Sequence, residues 1–81
     1  MKKETIIKNT KGLHASLAAK LVKVTSKYDV DVKLYYKDKV IDLKSILGLM
    51  SLAIPSGENV KVTAEGVDAV VALKEIEALL K

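Results

Sequence analysis

The stretch at residues 30–36 constrains the fold most, because its side chains alternate between two kinds. One set is apolar or aromatic and the other is mostly charged: Val30, Val32, Leu34 and Tyr36 against Asp31, Lys33 and Tyr35. This period of two is typical of a β-strand with one buried and one solvent-facing side. A sheet built from such strands needs a cover on one face, so the rest of the chain must supply both further strands and that cover.

Three other stretches have strand patterns. Residues 4–8 alternate weakly, and residues 40–42 follow a tight reversal at residues 37–39. Residues 60–65 form the last strand pattern, which alternates Val60, Val62 and Ala64 with Lys61, Thr63 and Glu65. Four strands are therefore expected.

Three stretches between these strands have the period of a helix. In residues 15–28, an apolar stripe opposes Lys20, Lys23 and Lys27; the stripe contains Leu17, Ala18, Leu21, Val22, Val24 and Tyr28. Its start is ambiguous, since Ser16 is an N-cap by residue type and His14 only by position. We expect a short second helix to run from an N-cap at Ser45 to Leu52, and a third from an N-cap at Asp68 to about Leu80.

The predicted order of elements is β-α-β-β-α-β-α in a single domain of 81 residues. Three helices can cover one face of four antiparallel strands, so the sequence predicts an α+β open-faced sandwich. The second helix is unusual, because its apolar residues are too many for one buried stripe: Ile46, Leu47, Leu49, Met50, Leu52 and Ala53. We therefore expect a docking patch there, centred on Leu47, Leu49 and Met50.

Composition excludes several kinds of site. The chain has no cysteine and one histidine, which rules out thiolate catalysis and sites rich in Cys or His ligands, and we expect no cofactor and no metal. Its longest apolar run, residues 69–73, is far shorter than a membrane span, and residues 1–8 do not resemble a signal peptide. We expect a cytoplasmic monomer.

Charge is distributed unevenly along the chain. All fourteen basic residues are lysines, and the net charge of +4 comes from the N-terminal half. A nucleic-acid-binding module is one alternative, but the lack of arginine and the three tyrosines as sole aromatics argue against it. A solvated surface, or a surface for an acidic protein partner, fits the lysines better.

The single histidine suggests the chemistry. His14 follows a glycine and precedes the first helical pattern, where backbone amides and the positive end of the helix dipole favour an anion. A mostly neutral imidazole at pH 7 is a nucleophile that could carry a phosphoryl group. A hydrolase or isomerase with His14 as general base is an alternative, but only Ser16, Asn9, Thr10 and Lys11 lie near it in sequence.

Two motifs together resemble HPr, the histidine phosphocarrier of the bacterial sugar phosphotransferase system. One is Gly-Leu-His-Ala at residues 12–15, and the other is Leu-Lys-Ser-Ile-Leu-Gly-Leu-Met-Ser-Leu at residues 43–52. The resemblance extends over essentially the whole chain, including the Ala-Glu-Gly-x-Asp sequence that leads to the last helix. It implies the HPr sandwich with strand order 1-4-2-3.

The resemblance also implies roles. His14 would take a phosphoryl group from enzyme I and pass it to the A domains of sugar permeases, as a stoichiometric carrier and not an enzyme. The backbone amides of Ser16 and Leu17 would bind the phosphate. Ser45 would be the site of HPr kinase, whose product suppresses carrier activity and acts with a catabolite-control transcription factor. Leu47, Leu49 and Met50 would dock the partners, with no membrane insertion and no direct contact with nucleic acid.

The sequence departs from the family motif at two positions. The usual Gly-x-His-Ala-Arg-Pro-Ala has Ser16 and Leu17 in place of arginine and proline. Three interpretations follow: a carrier in which Lys11 or Lys20 supplies the cation, a regulatory relative that acts through Ser45, or a reused fold in which His14 is only an N-cap. The unusual apolarity at residues 67, 70 and 71, at the last helix, could reflect self-association or better packing, and the sequence does not distinguish the two.

Overall fold

The computed structural model describes residues 2–10, 15–52 and 54–81. Its elements follow the predicted order: β1 (Lys2–Asn9), α1 (Ala15–Ser26), β2 (Asp31–Tyr36), β3 (Lys39–Asp42), α2 (Ile46–Leu52), β4 (Glu58–Glu65) and α3 (Ala69–Leu80). The boundaries differ from the sequence prediction by at most two residues, mainly because the sheet extends beyond the alternating core of β1 and β4.

The four strands form one antiparallel sheet in the order β1-β4-β2-β3, which confirms the expected topology. β4 lies in the middle and pairs with β1 from Lys2↔Glu65 to Asn9↔Glu58. On its other side β4 pairs with β2, and β2 pairs in turn with the short β3. β1 and β3 are therefore the two edge strands.

The helices cover one face of this sheet and enclose the core. Alternate residues of the strands meet the apolar faces of the helices: Ile7, Val32, Leu34, Val60, Val62 and Ala64 from the sheet, and Leu17, Ala18, Leu21, Leu49, Ala69, Ala72, Ile76 and Leu80 from the helices. Burial of these side chains is the main source of stability in a domain of this size. Within the described part of the chain, no helix has both the length and the apolar character needed to cross a bilayer.

The predicted cap of α3 is right in position but not in bonding. Asp68 is the N-cap residue, yet its side chain makes no capping hydrogen bond. Its Oδ2 instead accepts a hydrogen bond from the backbone amide of Asp29, at 2.9 Å. The carboxylate therefore ties the start of α3 to the connection between α1 and β2, a contact between residues 39 apart that local patterns do not predict.

The suggestion that Ser16 caps α1 is wrong. The helix begins at Ala15, so Ser16 lies inside its first turn and the cap position falls at residue 14, outside the described residues. The apolar stripe of α1 is correct in outline, with Leu17, Ala18 and Leu21 buried. Tyr28 lies beyond the end of the helix and is only half-buried.

Candidate functional site

The predicted phosphoryl acceptor, His14, lies outside the described residues, as does Lys11. The structure does describe the element that follows, because α1 begins at Ala15, directly after the histidine in sequence. The start of this helix is held in place by Leu17 and Ala18, whose side chains are buried in the core. The residue after His14 in sequence is therefore the first residue of a helix whose start is anchored in the core.

The first turn of α1 has the electrostatic character that a phosphate requires. Ser16 is exposed, and the turn contains no acidic side chain. The positive end of the helix dipole lies here and favours a bound anion. The expected contribution of the Ser16 and Leu17 amides to phosphate binding remains a prediction.

One cation lies close to this turn. Lys20 is exposed and follows Ser16 by four residues, so both lie on the same side of α1. Helical side chains lean toward the N-terminus, which brings the ammonium group of Lys20 toward the first turn. Among the described residues, Lys20 has no ion-pair partner.

α1 also contacts the segment that leads into α2. Thr25 is fully buried, and its hydroxyl lies 3.0 Å from the carbonyl oxygen of Leu21 and 3.4 Å from that of Leu43. Leu43 is itself buried, and its amide donates to the carbonyl of Val32 at 2.9 Å. These contacts fix the segment before α2 against both the sheet and α1.

Ser45 caps α2, as the sequence predicts. Its Oγ accepts a hydrogen bond from the backbone amide of Gly48 at 3.1 Å, and its own amide donates to the carbonyl of Asp42 at 3.0 Å. Asp42 also accepts the amide of Lys44 through Oδ1, at 2.9 Å. These hydrogen bonds place the exposed hydroxyl of Ser45 at the positive end of α2.

The sequence interpretation missed the role of Gly48. A Cβ at this position would lie 2.9 Å from Cγ2 of Ile41 and 3.1 Å from Oγ of Ser45, so only glycine fits without a shift of the Ile41 side chain or of the capping serine. Its spacing of three residues from Ser45 is the signal that could have identified it, since the third helical residue donates to an N-cap oxygen.

The apolar residues of α2 are divided between surface and core. Leu47 is 84% exposed and Met50 is 47% exposed, which agrees with an outward-facing patch, whereas Leu49 is fully buried. The assignment of Leu49 to the docking patch is therefore wrong, because α2 turns this side chain toward the core that it shares with α1. The side chains of Ile46 and Leu52, and the whole of Ala53, lie outside the described part.

The described residues contain no cluster of three or more side chains suited to a metal ion.

The pKa shifts lie away from the candidate site. The hydroxyl of Tyr28 lowers the pKa of Glu75, with the ammonium of Lys27 adding to this effect and partial burial opposing it, and Glu75 raises the pKa of Tyr28 in return. The candidate site is thus a surface formed by the first turn of α1 with Lys20, and by α2 with the capping Ser45 and the apolar patch of Leu47 and Met50.

Comparison with known proteins places this geometry in context. Residues 1–81 match the family described as PTS HPr component phosphorylation site. The HPr of Bacillus anthracis is 32% identical, with a TM-score of 0.92 over 99% of this chain and 98% of that one. An HPr structure from Thermoanaerobacter tengcongensis is 38% identical, with a TM-score of 0.83 over 99% of this chain and 90% of that one.

A structure of Crh, the catabolite repression HPr of Bacillus subtilis, is also similar. It is 33% identical, with a TM-score of 0.79 over 100% of this chain and 96% of that one. The family match and the structural matches therefore agree over nearly the whole chain, and they include both carrier and regulatory proteins by name.

Proposed function

Because this chain belongs to the HPr family of the phosphotransferase system, we propose that it carries a phosphoryl group on His14 from enzyme I to the A domains of sugar permeases. The supporting observation is that α1 begins directly after His14, with a first turn that is exposed at Ser16 and has no acidic side chain. This surface favours the anion that the histidine would carry.

The chemistry requires no cofactor. A neutral imidazole nitrogen of His14 attacks the phosphorus of phosphorylated enzyme I, a nitrogen–phosphorus bond forms, and the bond to the donor breaks. Histidine is the side chain that can supply a neutral nitrogen nucleophile near pH 7. Transfer to the permease domain breaks this nitrogen–phosphorus bond and restores the free histidine, so the proposed role is that of a stoichiometric carrier and not of an enzyme.

Lys20 is the candidate for the missing arginine. The family motif has an arginine where this chain has Ser16, and the sequence contains no arginine at all. Lys20 lies one turn further along the exposed side of α1 and has no ion-pair partner among the described residues. A lysine is a point charge without the bidentate geometry of arginine, so we expect transfer to be slower than in a carrier with arginine.

The apolar patch of Leu47 and Met50 is the proposed docking surface. α2 packs against α1, so the patch lies beside the helix that follows His14. Both partners must release the carrier after each transfer, and a small apolar contact suits such brief encounters. Enzyme I and the permease domains would use this patch in turn.

The direct test is phosphorylation with enzyme I and labelled phosphoenolpyruvate, followed by measurement of acid-labile label. We expect one equivalent of label on the wild-type chain and none on His14→Ala, which has no other histidine. Absence of label on the wild type, with an enzyme I that phosphorylates its own HPr, would overturn the proposal.

A regulatory role through Ser45 is the second candidate, and one observation favours it. The Ser45 hydroxyl is exposed at the N-terminus of α2, where a phosphate would be stabilised by the helix dipole and would add negative charge beside Leu47. A regulatory relative would be phosphorylated by HPr kinase and ATP on Ser45 and bind a catabolite-control transcription factor. It would take little or no label from enzyme I. Ser45→Ala is the control. If HPr kinase and ATP still label this variant, the phosphorylated residue is not Ser45.

A further inference from the structure

The edge strand β1 has an unpaired side. Its eight residues, Lys2–Asn9, pair with β4 along one side, and no strand among the described residues pairs with the other. A long open edge presents backbone N–H and C=O groups that can pair with another strand. Natural proteins usually protect such edges, so the residues on this one show whether pairing is prevented or favoured.

Three of the four outward-facing residues of β1 have a symmetric pattern, and Lys2 is the fourth. Glu4, Ile6 and Lys8 point to the open face of the sheet, whereas Ile7 between them is buried under the helices. Ile6 is 68% exposed and is the only apolar residue of the three. An acidic and a basic side chain therefore flank an exposed isoleucine at equal distances, two residues on each side.

This pattern is complementary to itself. If two copies of β1 pair antiparallel about a two-fold axis at Ile6, each Ile6 lies opposite the other, and each Glu4 lies opposite the Lys8 of the second copy. Opposite charges in directly facing positions stabilise a strand pair, and like charges destabilise it. Moving the axis by one residue to Thr5 would place Lys2 opposite Lys8 and Glu4 opposite Ile6, and moving it to Ile7 would place Ile6 opposite Lys8.

The lysines of the edge do not prevent this register. Lysines on an edge commonly block strand pairing. In the register centred on Ile6, however, Lys3 lies opposite Asn9, and Lys2 lies beyond the paired strand. No lysine faces another lysine.

The helix beside the edge has the same self-complementary character. A groove of about 330 Å³ lies along β1, lined by residues 3–5 and by Val70, Leu73, Lys74 and Glu77 of α3. Val70 and Val71 are about two-fifths exposed on this helix. The two-fold axis would bring a second α3 antiparallel to the first, with apolar surface facing apolar surface and Lys74 of one copy near Glu77 of the other.

We propose that β1 is a self-association surface, and that a second copy of this chain pairs with it about a two-fold axis at Ile6 to form a continuous eight-stranded antiparallel sheet. The occupant is a second copy because one register aligns both charge pairs and the apolar centre at once. One strand and part of one helix make a small interface, so we expect a weak dimer in rapid exchange, with a dissociation constant on the order of 100 µM. α2 contacts α1 and β3, so Leu47 and Met50 remain accessible.

The test uses two charge reversals that repel alone and attract together. Glu4→Lys gives a copy with lysine at both positions, and Lys8→Glu gives a copy with glutamate at both. By sedimentation between about 10 µM and 1 mM, each variant alone should dimerise at least about tenfold more weakly than the wild type, because each dimer has two repulsive pairs. Their equimolar mixture should form a heterodimer at least as tight as the wild-type dimer.

General charge attraction does not explain such a heterodimer, because both variants stay net positive, at +6 and +2 from the +4 of the wild type. Asp38→Lys and Lys39→Glu are the matched control, since they give the same net charges at exposed positions by the β2–β3 turn. Their mixture should dimerise no differently from the wild type.

A second measurement needs no variant. Amide chemical shifts of the wild-type protein should change with concentration at residues of β1 and the adjoining side of α3, and not at α2. A wild type that stays monomeric to 1 mM overturns the proposal. Concentration-dependent shifts centred on Leu47 and Met50 also overturn it, and so does a slowly exchanging dimer that has swapped β1. A heterodimer of the charge-reversal variants that is no tighter than that of the control pair has the same consequence.

Discussion

The Oγ of Ser45 accepts the amide of Gly48 at 3.1 Å, and this bond starts α2. The same oxygen is the atom that a kinase would phosphorylate in the regulatory role proposed above. Because Gly48 has no side chain to displace the serine, the hydroxyl keeps its capping position while it stays exposed. The hydroxyl oxygen that caps α2 is therefore also the atom on which the proposed regulation would act.

Removal of this cap should destabilise the protein by about 1 kcal/mol. Ser45→Ala leaves the Gly48 amide without its acceptor, whereas Ser45→Asp restores an acceptor and adds a negative charge at the positive end of the helix. Urea unfolding should therefore rank Ser45→Asp near the wild type and Ser45→Ala below both. Ser51→Ala, at another exposed serine of α2, is the control. Equal losses in Ser45→Ala and Ser45→Asp would contradict the capping role.

The split of α2 between core and surface gives a second prediction. Leu49→Ala removes a fully buried side chain and should lower the free energy of unfolding by about 2–5 kcal/mol. Leu47→Ala should leave stability within about 0.5 kcal/mol, since the side chain is exposed, but should weaken enzyme I binding by about 1 kcal/mol or more, roughly fivefold.

Chemical unfolding and titration with enzyme I measure these two quantities separately. Met50→Ala should behave like Leu47→Ala. If Leu47→Ala and Met50→Ala bind enzyme I as tightly as the wild type, the patch is not the docking surface.

Most of the fold could be predicted from the sequence, because alternation at residues 30–36 and 60–65 and the helical period of the other segments each specify a buried face. The errors come from contacts between distant segments. Leu49 and Leu47 are alike as residues, and only the direction in which α2 packs makes one core and the other surface. Asp68 has the residue type of a cap, yet its carboxylate accepts a hydrogen bond from the nearby backbone amide of Asp29 instead.

The burial of Thr25 and Asn9 could not be predicted for a similar reason. Polar residues at these positions are expected to face solvent, but Thr25 lies under the segment before α2, where the carbonyls of Leu21 and Leu43 surround its hydroxyl. Asn9 lies at the end of β1, beyond the alternation that marks that strand. Leu43 lies 18 residues from Thr25, and the backbone carbonyl of Asn9 accepts the amide of Gly57, so both positions have contacts that the local pattern does not show.

Substitution of Gly66 and of Gly57 by alanine should distinguish the cost of backbone strain from the cost of a steric contact. Both have positive φ, of 143° and 91°, but a Cβ at Gly66 would lie 2.6 Å from the carbonyl oxygen of Asp29, and a Cβ at Gly57 would meet nothing within 4 Å. Gly57→Ala should cost about 1–2 kcal/mol from the backbone alone. Gly66→Ala should cost about 2–5 kcal/mol, because the contact adds to the strain. Urea unfolding of the two variants measures the difference, and equal losses would show that the contact relaxes.

The lowered pKa of Glu75 makes a small part of the stability depend on pH. The hydroxyl of Tyr28 is the largest cause, and Lys27, 3.2 Å away, also lowers it. A carboxyl group whose pKa is lower in the folded state stabilises the fold above its unfolded pKa, and the effect disappears as the pH falls through the folded pKa. Tyr28→Phe should therefore raise the pKa of Glu75 toward its ordinary 4.5, as measured by NMR titration of the side-chain carboxyl. Tyr35→Phe, on the open face of the sheet, should leave it unchanged.

The exposed side of α1 should set the rate of phosphotransfer. Ser16→Arg places a guanidinium in the first turn, where it can make charge-assisted hydrogen bonds to the phosphoryl group; such a bond contributes about 1.5–3 kcal/mol, on the order of 10- to 100-fold in rate if it forms in the transition state. Lys20→Ala should slow transfer, because it removes the exposed cation one turn away. Lys23→Ala is the control, since it removes an exposed lysine of the same helix that is further from the first turn. Rapid-quench measurement of label transfer from enzyme I gives the three rates. Equal slowing by Lys20→Ala and Lys23→Ala would mean that only the overall charge of α1 matters and that Lys20 does not replace the arginine.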